Sequence, residues 1–257
     1  MSALAHVASD TVVLAKRNLK RIPRAPDLLL SFTVQPVMFT LLFVYVFGGA
    51  IETPGYEYED FLMPGIIVQS ISFGGFVTAL GLSDDLKKGL IDRFRSLPMS
   101  RGAVLAGRTL ADVATNCLTL AVMIVTGLLV GFRFDANAFE IAAGIGLLLL
   151  FGYGFSWFFA WTGLTASSPE AAQAIGFIAI FPLTFASSAF VPVESMPGWL
   201  QAFAEVNPFT VVVDAMRSLW LGAPAGNSIW GAVAWALALI AIFAPLSIAR
   251  YRRAVTA

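Results

Sequence analysis

The residues that could do chemistry are few in this chain, and their spacing excludes most enzymatic sites. No lysine follows a glycine, so the phosphate-binding loop of nucleotide hydrolases is absent. His6 is the single histidine, which excludes a zinc-protease helix, and the serine-hydrolase pattern Gly-x-Ser-x-Gly does not occur. Cys117 stands alone and is expected to pack as a small residue. The sequence therefore predicts neither a catalytic residue nor a metal site.

Two pairs of opposite charge at helical spacing remain. Arg108 and Asp112 are four residues apart, and Asp214 and Arg217 are three apart, so the members of each pair can meet on one helical face. Charges inside a membrane can form proton relays, but mutual pairing also explains both pairs. We expect structural ion pairs, with a substrate contact as the alternative for Asp214 and Arg217.

The amino-acid composition indicates which kind of secondary structure holds these residues in place. The 257 residues are 58% hydrophobic and only 12% charged, with a mean hydropathy of +0.80. A soluble domain carries about 25% charged residues. Sixteen basic residues balance sixteen acidic ones, which argues against a nucleic-acid binder. The composition predicts an all-α integral membrane protein.

Charged residues divide the chain into apolar runs long enough to cross a bilayer, which takes roughly 20 residues. The predicted transmembrane helices are 28–51, 61–83, 103–132, 139–167, 170–191 and 228–249. Fourteen Lys and Arg residues fall on the side of the two termini and two on the other side. Because basic residues stay inside, both termini are expected in the cytoplasm.

Residues 1–24 show a helical period, with apolar residues on one face and five basic residues on the other. This pattern is typical of an amphipathic helix that lies at the surface of an anionic membrane leaflet. The alternative is that the basic residues only set the topology.

The cytoplasmic loop 84–101 carries an apolar stripe that a simple connection does not need. Its members, at spacings of four, four and three, are Leu86, Leu90, Phe94 and Leu97. They predict a short helix with Ser83 or Asp84 as its N-cap, ending before Pro98. The stripe must bury itself against the membrane surface, the helix ends or another protein, and we favour a protein.

The external segment 192–222 is divided by prolines into two short helices, predicted at 198–206 and 209–221. Both are too short to span a membrane and too apolar for a free loop. We therefore predict a re-entrant hairpin that dips into the outer leaflet and packs against protein. Its candidate site residues are Pro192, Pro197, Trp199, Asn207, Pro208, Asp214 and Arg217.

Two stretches resemble the permease subunits of ABC-2-type transporters, particularly those of daunorubicin and doxorubicin resistance. One is GLIDRFRSLPMSR at residues 89–101, which is similar to the family's loop between the second and third helices. The other is VPVESMPGWLQ at 191–201, followed by Asn207-Pro208 and by DAMR at 214–217. Topology and length match over essentially the whole chain.

The resemblance implies a bacterial plasma-membrane exporter whose energy comes from elsewhere. Two separate ATPase subunits would carry ATP and magnesium, and a second permease chain would complete the transporter, expected to be a homodimer. The helix 86–97 would be the coupling helix in a groove of the ATPase, with contacts from Leu86, Leu90, Phe94, Arg95 and Leu97. The N-terminal helix would lie beside it, and the hairpin would cap the external end of the pathway. This chain would hold no cofactor and would not itself be an enzyme.

Polar residues inside the predicted spans are scarce, whereas phenylalanine occurs 22 times. The candidates for the pathway are Gln35, Gln69, Asn116 and Gln173. An apolar, aromatic pathway favours an amphipathic drug or lipid over a sugar polymer. The alternatives are a lipid or glycoconjugate exporter of the same superfamily and a membrane scaffold that binds an ATPase without transporting anything. An intramembrane enzyme is a third alternative.

Overall fold

The computed structural model describes residues 26–51, 53, 55–87, 101–224 and 226–256, which are mostly α-helical and include no β-strand. The helices among them are α1 Pro26–Leu42, α2 Tyr58–Ser72, α3 Phe76–Lys87, α4 Arg101–Val130, α5 Ala138–Thr165, α6 Pro169–Phe185, α7 Gly198–Val206, α8 Pro208–Leu221 and α9 Ser228–Thr256. The predicted amphipathic helix 1–24 lies outside the described residues, as does the loop from residue 88 to residue 100.

Four helical stretches in the described part of the chain are long and apolar enough to cross a membrane. They are Tyr58–Lys87, Leu105–Val130, Ala138–Thr165 and Ser228–Arg253. Two shorter apolar helices, Val34–Phe47 and Pro169–Phe185, coincide with the first and fifth predicted spans. The all-α membrane architecture is confirmed, and the count of six crossings stays a prediction.

The prediction of a new helix beginning at Ser83 or Asp84 is wrong. Both residues lie inside α3, which continues α2 through a 3₁₀ turn at Phe73–Gly75 and reaches Lys87. A charged residue does not end a helix that has already left the hydrocarbon. The second span therefore extends one turn beyond the predicted end at residue 83.

Charge also failed to mark the other helix ends. The second span begins at Tyr58 instead of residue 61, with Glu59 and Asp60 in its first turn. Unpaired N–H groups at a helix N-terminus favour negative charge there. In the same way α9 continues past the predicted end at residue 249 to Thr256, with Arg253 in its last turn, where positive charge is favoured.

The first and fifth spans are shorter than predicted. α1 passes into a π-helical turn at Phe43–Phe47 and stops before Gly48, not at residue 51. α6 stops at Phe185 instead of residue 191, because the Asn207 side chain occupies its last carbonyls. Asn207 Nδ2 donates to the carbonyl oxygens of Leu183 and Ala186, each at 2.7 Å.

Helix α5 is the centre of the fold and packs against α2, α3, α4, α6, α8 and α9. An Asn137 capping box begins it: the side chain accepts from Phe139 N and Glu140 N, and Glu140 Oε2 accepts from Asn137 N. Glycines let its neighbours approach closely, as small residues do between membrane helices. At Gly163 a Cβ atom would lie 2.5 Å from the backbone oxygen of Ala79.

Replacing Gly163 by alanine should destabilise the fold by about 1–3 kcal/mol, because the Ala79 backbone cannot move aside without shifting α3. The matched control is Gly146→Ala on the same helix, where a Cβ meets no atom within 4 Å. Thermal unfolding of the two purified variants measures the difference. Equal melting temperatures would contradict the close packing of α3 on α5.

Candidate functional site

A cavity of about 320 Å³ lies between α1, the continuous α2–α3 helix and α6. Its wall is formed by Gln35, Pro36, Phe39, Ile66, Gln69, Ser70, Phe73, Phe76, Val77, Leu80, Thr119, Gln173, Phe177 and Phe181. On α6 the lining residues recur every four positions, so a single face of that helix points into the cavity. Ser168 fixes the start of α6 by accepting a hydrogen bond from Ala171 N at 3.1 Å.

Three of the four residues predicted for the pathway lie on this wall: Gln35, Gln69 and Gln173. The fourth, Asn116, is fully buried behind the wall, against Gly74 and Gly152. The structure therefore brings the three glutamines to one space and places Asn116 beside it. Their role in transport stays a prediction.

The chemistry of the wall is aromatic and neutral. Phe177 packs edge-on against Phe76 with ring centroids 5.8 Å apart, and it lies 5.5 Å from Phe73. Amide and hydroxyl groups add donors and acceptors, and the described side chains around the cavity carry no charge. Such a lining fits flat, apolar molecules that carry a few neutral hydrogen-bonding groups.

A ladder of phenylalanine rings runs from the cavity wall to Phe190, in the segment between α6 and the hairpin. Two of its members, Phe39 and Phe181, line the cavity. The centroids of consecutive rings are 4.4 to 5.2 Å apart. In order, the phenylalanine ladder is Phe181, Phe185, Phe190 and Phe43, with Phe39 and Phe47 on either side of Phe43.

The sequence did not predict this ladder, because the prediction used the number of phenylalanines and not their positions. The available signal was spacing: phenylalanines recur every four residues at 39, 43 and 47 and again at 181 and 185. This spacing stacks rings along a helical face. Nothing in the sequence shows that the two rows meet through Phe190, which follows the end of α6.

A buried guanidinium connects the hairpin of α7 and α8 to the long helices. Arg217 of α8 donates through Nε and Nη2 to the carbonyl oxygen of Phe61 at 3.2 and 2.9 Å. Nη2 also donates to the carbonyl oxygen of Ser188 at 2.7 Å, and Nη1 to Asp214 Oδ1 at 3.1 Å. Its Cζ atom lies 3.6 Å from the centre of the Phe61 ring. Arg217 thus joins α8, the start of α2 and the segment after α6.

The hydrogen bonds from Arg217 to Phe61, Ser188 and Asp214 form a clamp, which other hairpin residues position. Asn207 caps α8 by accepting from Phe209 N at 2.9 Å, and Pro208 occupies the first turn, as prolines often do. Ser188 Oγ donates to Asp214 Oδ1 at 2.9 Å. Pro192 precedes a 3₁₀ turn and Pro197 precedes α7, whereas Trp199 is 76% exposed.

The charges of Arg108 and Asp112 are arranged differently from the predicted pairing along α4. Arg108 forms an ion pair with Asp85 of α3, a partner that the sequence did not suggest. Asp112 Oδ1 accepts a hydrogen bond from the Thr78 hydroxyl at 2.9 Å. The prediction considered only pairs within one helix, and these contacts cross between helices.

The structure also gives the positions of Cys117 and Leu86, two residues about which the sequence made a prediction. Cys117, expected to be packed, is exposed on α4, so that expectation is wrong. Leu86 is half-buried and packs against the cluster that contains Leu82, Leu105 and Tyr251. Leu90, Phe94, Arg95 and Leu97 lie outside the described residues, so their assignment to the ATPase stays a prediction.

Comparison with known proteins gives one family and several relatives. Residues 9–221 match the family profile described as ABC-2 type transporter. The chain is 36% identical to the daunorubicin resistance ABC transporter permease protein DrrB1 of Streptomyces coeruleorubidus, over 97% of this chain and 88% of that protein. It is 26% identical to the probable doxorubicin resistance permease DrrC of Mycobacterium tuberculosis, covering 96% and 90%. The probable multidrug permease YbhR of Escherichia coli is 24% identical, covering 79% and 55%.

Arg217→Lys should lower stability by about 3 kcal/mol, because an ammonium group cannot bind the Phe61 and Ser188 carbonyls together and leaves buried acceptors unpaired. Arg133→Lys is the matched control, since Arg133 is exposed on the neighbouring loop. The measurement is the melting temperature of each purified variant. A lysine at 217 that leaves this temperature unchanged would contradict the clamp.

Proposed function

The chain belongs to the ABC-2 type transporter family, and on that premise we propose that it exports an amphipathic, largely hydrophobic substrate across a bacterial plasma membrane. It is an ABC-2 permease, homologous to permeases of drug-resistance exporters. Membership of an ABC transporter implies an ATPase partner. The observation that carries the substrate class is the cavity: an uncharged space of about 320 Å³ walled by phenylalanine rings and three glutamine amides.

We propose six membrane crossings with both termini in the cytoplasm. The α6 helix has 17 residues and spans roughly 26 Å, short of the ~30 Å hydrocarbon core. Residues 187–190 extend it as buried, non-helical chain, which a membrane tolerates only inside protein. Ser188 N donates to Thr210 Oγ1 at 3.1 Å, and Ser188 O accepts from Arg217. These bonds support a complete fifth crossing.

A second permease chain would close the open side of the cavity. The surface beside it is apolar and uncovered within this chain: Met38 on α1 is 59% exposed, and Ile178 on α6 is 74% exposed. We propose a homodimer in which these two helices face the partner, with two ATPase subunits bound to the loops at 86–97.

Coupling would pass from that loop to the cavity through one rigid helix. α3 reaches Lys87, next to the loop, and carries Phe76, Val77 and Leu80 on the cavity wall. The Asp85–Arg108 ion pair ties the same end of α3 to α4. A displacement of the loop by the ATPase would therefore move part of the cavity wall.

The phenylalanine ladder would be the closed external gate of this cycle. ATP can open it only if the ATPase binds the open form of the permease more tightly than the closed form. The rings on α1 and α6 separate if these helices tilt apart, which connects the cavity with the space under the hairpin. In this proposal the hairpin, held by Arg217, stays fixed to α2 while the ladder opens.

Enlarging the cavity should change the response to substrate. Phe73→Ala and Phe177→Ala remove rings that line the cavity, so we expect at least a roughly fivefold change in the half-maximal drug concentration that stimulates ATP hydrolysis. The measurement uses the permease–ATPase complex in proteoliposomes, with anthracyclines and membrane lipids as separate test series. Stimulation by drugs supports the drug exporter, and stimulation by lipids alone supports the lipid alternative.

Val125→Ala is the control for these variants. Its side chain lies on α4 and is 56% exposed, outside the cavity wall and away from the two helices proposed to face the partner. It should leave the half-maximal concentration unchanged. If Val125→Ala and Phe177→Ala give the same shift, the cavity is not the substrate site, and a complex that responds to neither drugs nor lipids favours the scaffold.

Substitutions in the loop at 86–97 test the proposed contact with the ATPase. Leu90→Asp combined with Phe94→Asp should release the ATPase during purification, because two carboxylates would be buried in an apolar groove. Lys88→Asp introduces the same residue on the opposite side of the predicted helix and should retain the ATPase. The measurement is the stoichiometry of co-purified ATPase. Full co-purification of the double variant would show that 86–97 is not the docking helix.

A further inference from the structure

A strip of buried polar side chains runs along α4, on its face toward α3 and α5. Its members recur at spacings of four, four and three, and they are Arg108, Asp112, Asn116 and Thr119. Asp112 is 5% exposed, Asn116 is fully buried and Thr119 is 2% exposed. Thr119 also forms part of the cavity wall. The strip therefore extends from the Asp85–Arg108 ion pair to the cavity.

The middle of this strip is short of hydrogen-bond partners. Both polar atoms of the Asn116 side chain and the Thr119 hydroxyl are buried without a protein partner, and Asp112 Oδ2 faces only the Ser156 hydroxyl, which donates to the Gly152 carbonyl oxygen. Each such group costs about 1–3 kcal/mol if nothing binds it. Four neighbouring atoms of this kind along two helical turns indicate a bound species, because native proteins rarely leave buried polar atoms unpaired.

The charges around Asp112 indicate the sign of that species. On its own helix the carboxyl faces Arg108, which already pairs with Asp85 of α3. From α3 it also meets the neutral Thr78 hydroxyl, and from α5 the Ser156 hydroxyl, which donates to the Gly152 carbonyl oxygen. The Asp85 and Asp112 carboxyl groups thus both face the Arg108 guanidinium. A buried negative charge of this kind requires a positive one.

The backbone makes room at this point. Gly74 lies in the 3₁₀ turn that joins α2 to α3, and a side chain there would overlap Asn116 Oδ1. At Gly152 of α5 a Cβ would lie 2.7 Å from Asn116 Nδ2. The two glycines thus leave space for the buried polar atoms of Asn116 between three helical segments.

We propose that Asp112 and Asn116 hold one small monovalent cation, a sodium ion or a proton, beside the cavity. As ligands for sodium, Asp112 Oδ2 and Asn116 Oδ1 supply hard oxygen atoms one helical turn apart, and water from the cavity completes the shell past Thr119. As a proton site, Asp112 is neutral and Asn116 contacts its hydroxyl through water. Either cation removes the excess negative charge. The proposed cation site does not depend on whether the cavity binds a drug.

The test is the thermal stability of the purified full-length chain, which needs no transport assay. Choline chloride replaces NaCl at constant ionic strength in one series, and the pH is lowered in sodium-free buffer in the other. A ligand that binds only the folded state raises its stability. We expect saturating sodium, or acid, to raise the melting temperature by roughly 5 °C. A response to sodium identifies the ion, and a response to acid alone identifies the proton.

Asp112→Asn keeps the shape of the side chain and removes its charge, so it should abolish the response that the wild type shows. Asp135→Asn, at an exposed loop position, is the matched control and should retain it. Asn116→Ala keeps the carboxylate but removes one oxygen, so it should raise the half-maximal sodium concentration about tenfold if sodium is the ion, and leave an acid response in place. The proposal is overturned if the wild type responds to neither cation, or if Asp112→Asn responds as the wild type does.

Discussion

The fold depends on how one cationic side chain is kept inside apolar protein. Arg217 is surrounded by the Phe61 ring, two backbone carbonyl oxygens and one carboxylate, so its guanidinium finds acceptors without water. The acceptor atoms belong to segments distant in sequence: the first turn of α2 and the chain after α6. The guanidinium therefore bonds these two segments to α8. The hairpin is held to the spans by these hydrogen bonds and not by apolar packing alone.

The same chain treats buried polarity in two ways. Around Arg217 and Asn207 the side-chain donors meet acceptors, and these bonds hold the hairpin to α2 and to the end of α6. Along α4 the polar atoms of Asn116 and the Thr119 hydroxyl lack protein partners. A fully bonded network suits a part that must stay fixed, whereas an incomplete one lies next to the cavity. Hydrogen bonding between helices is therefore complete at the hairpin and incomplete beside the cavity.

The sequence predicted the architecture well where one strong signal acts alone. Long apolar runs locate the helices, and the Asn207-Pro208 pair marks the start of α8, because proline suits a first turn and asparagine a cap. The ends of spans were predicted poorly. Glu59 and Asp60 were read as the edge of the membrane helix, although they stabilise its first turn.

Contacts between helices were beyond reach of the sequence. Three glutamines were recognised as unusual in apolar spans, and they meet at one cavity. Their neighbours could not be identified, since the wall is built from four different helical segments. Asp85 was likewise invisible as the partner of Arg108, because 23 residues separate the two and only the packing of α3 on α4 joins them.

The π-helical turn at Phe43–Phe47 is a point at which the two parts of the first span can rotate relative to one another. A π-helical turn accommodates one residue more than the α-helical path needs. If the carbonyl groups of this turn bond to the amide four residues on, as in an α-helix, and not to the amide five residues on, the part of α1 before the turn rotates by about 100°. Phe39 would then swing off the cavity wall while Phe47 keeps its place. A rotation of this size breaks no covalent bond and leaves no backbone group unpaired, so α1 can twist within the bilayer as well as tilt.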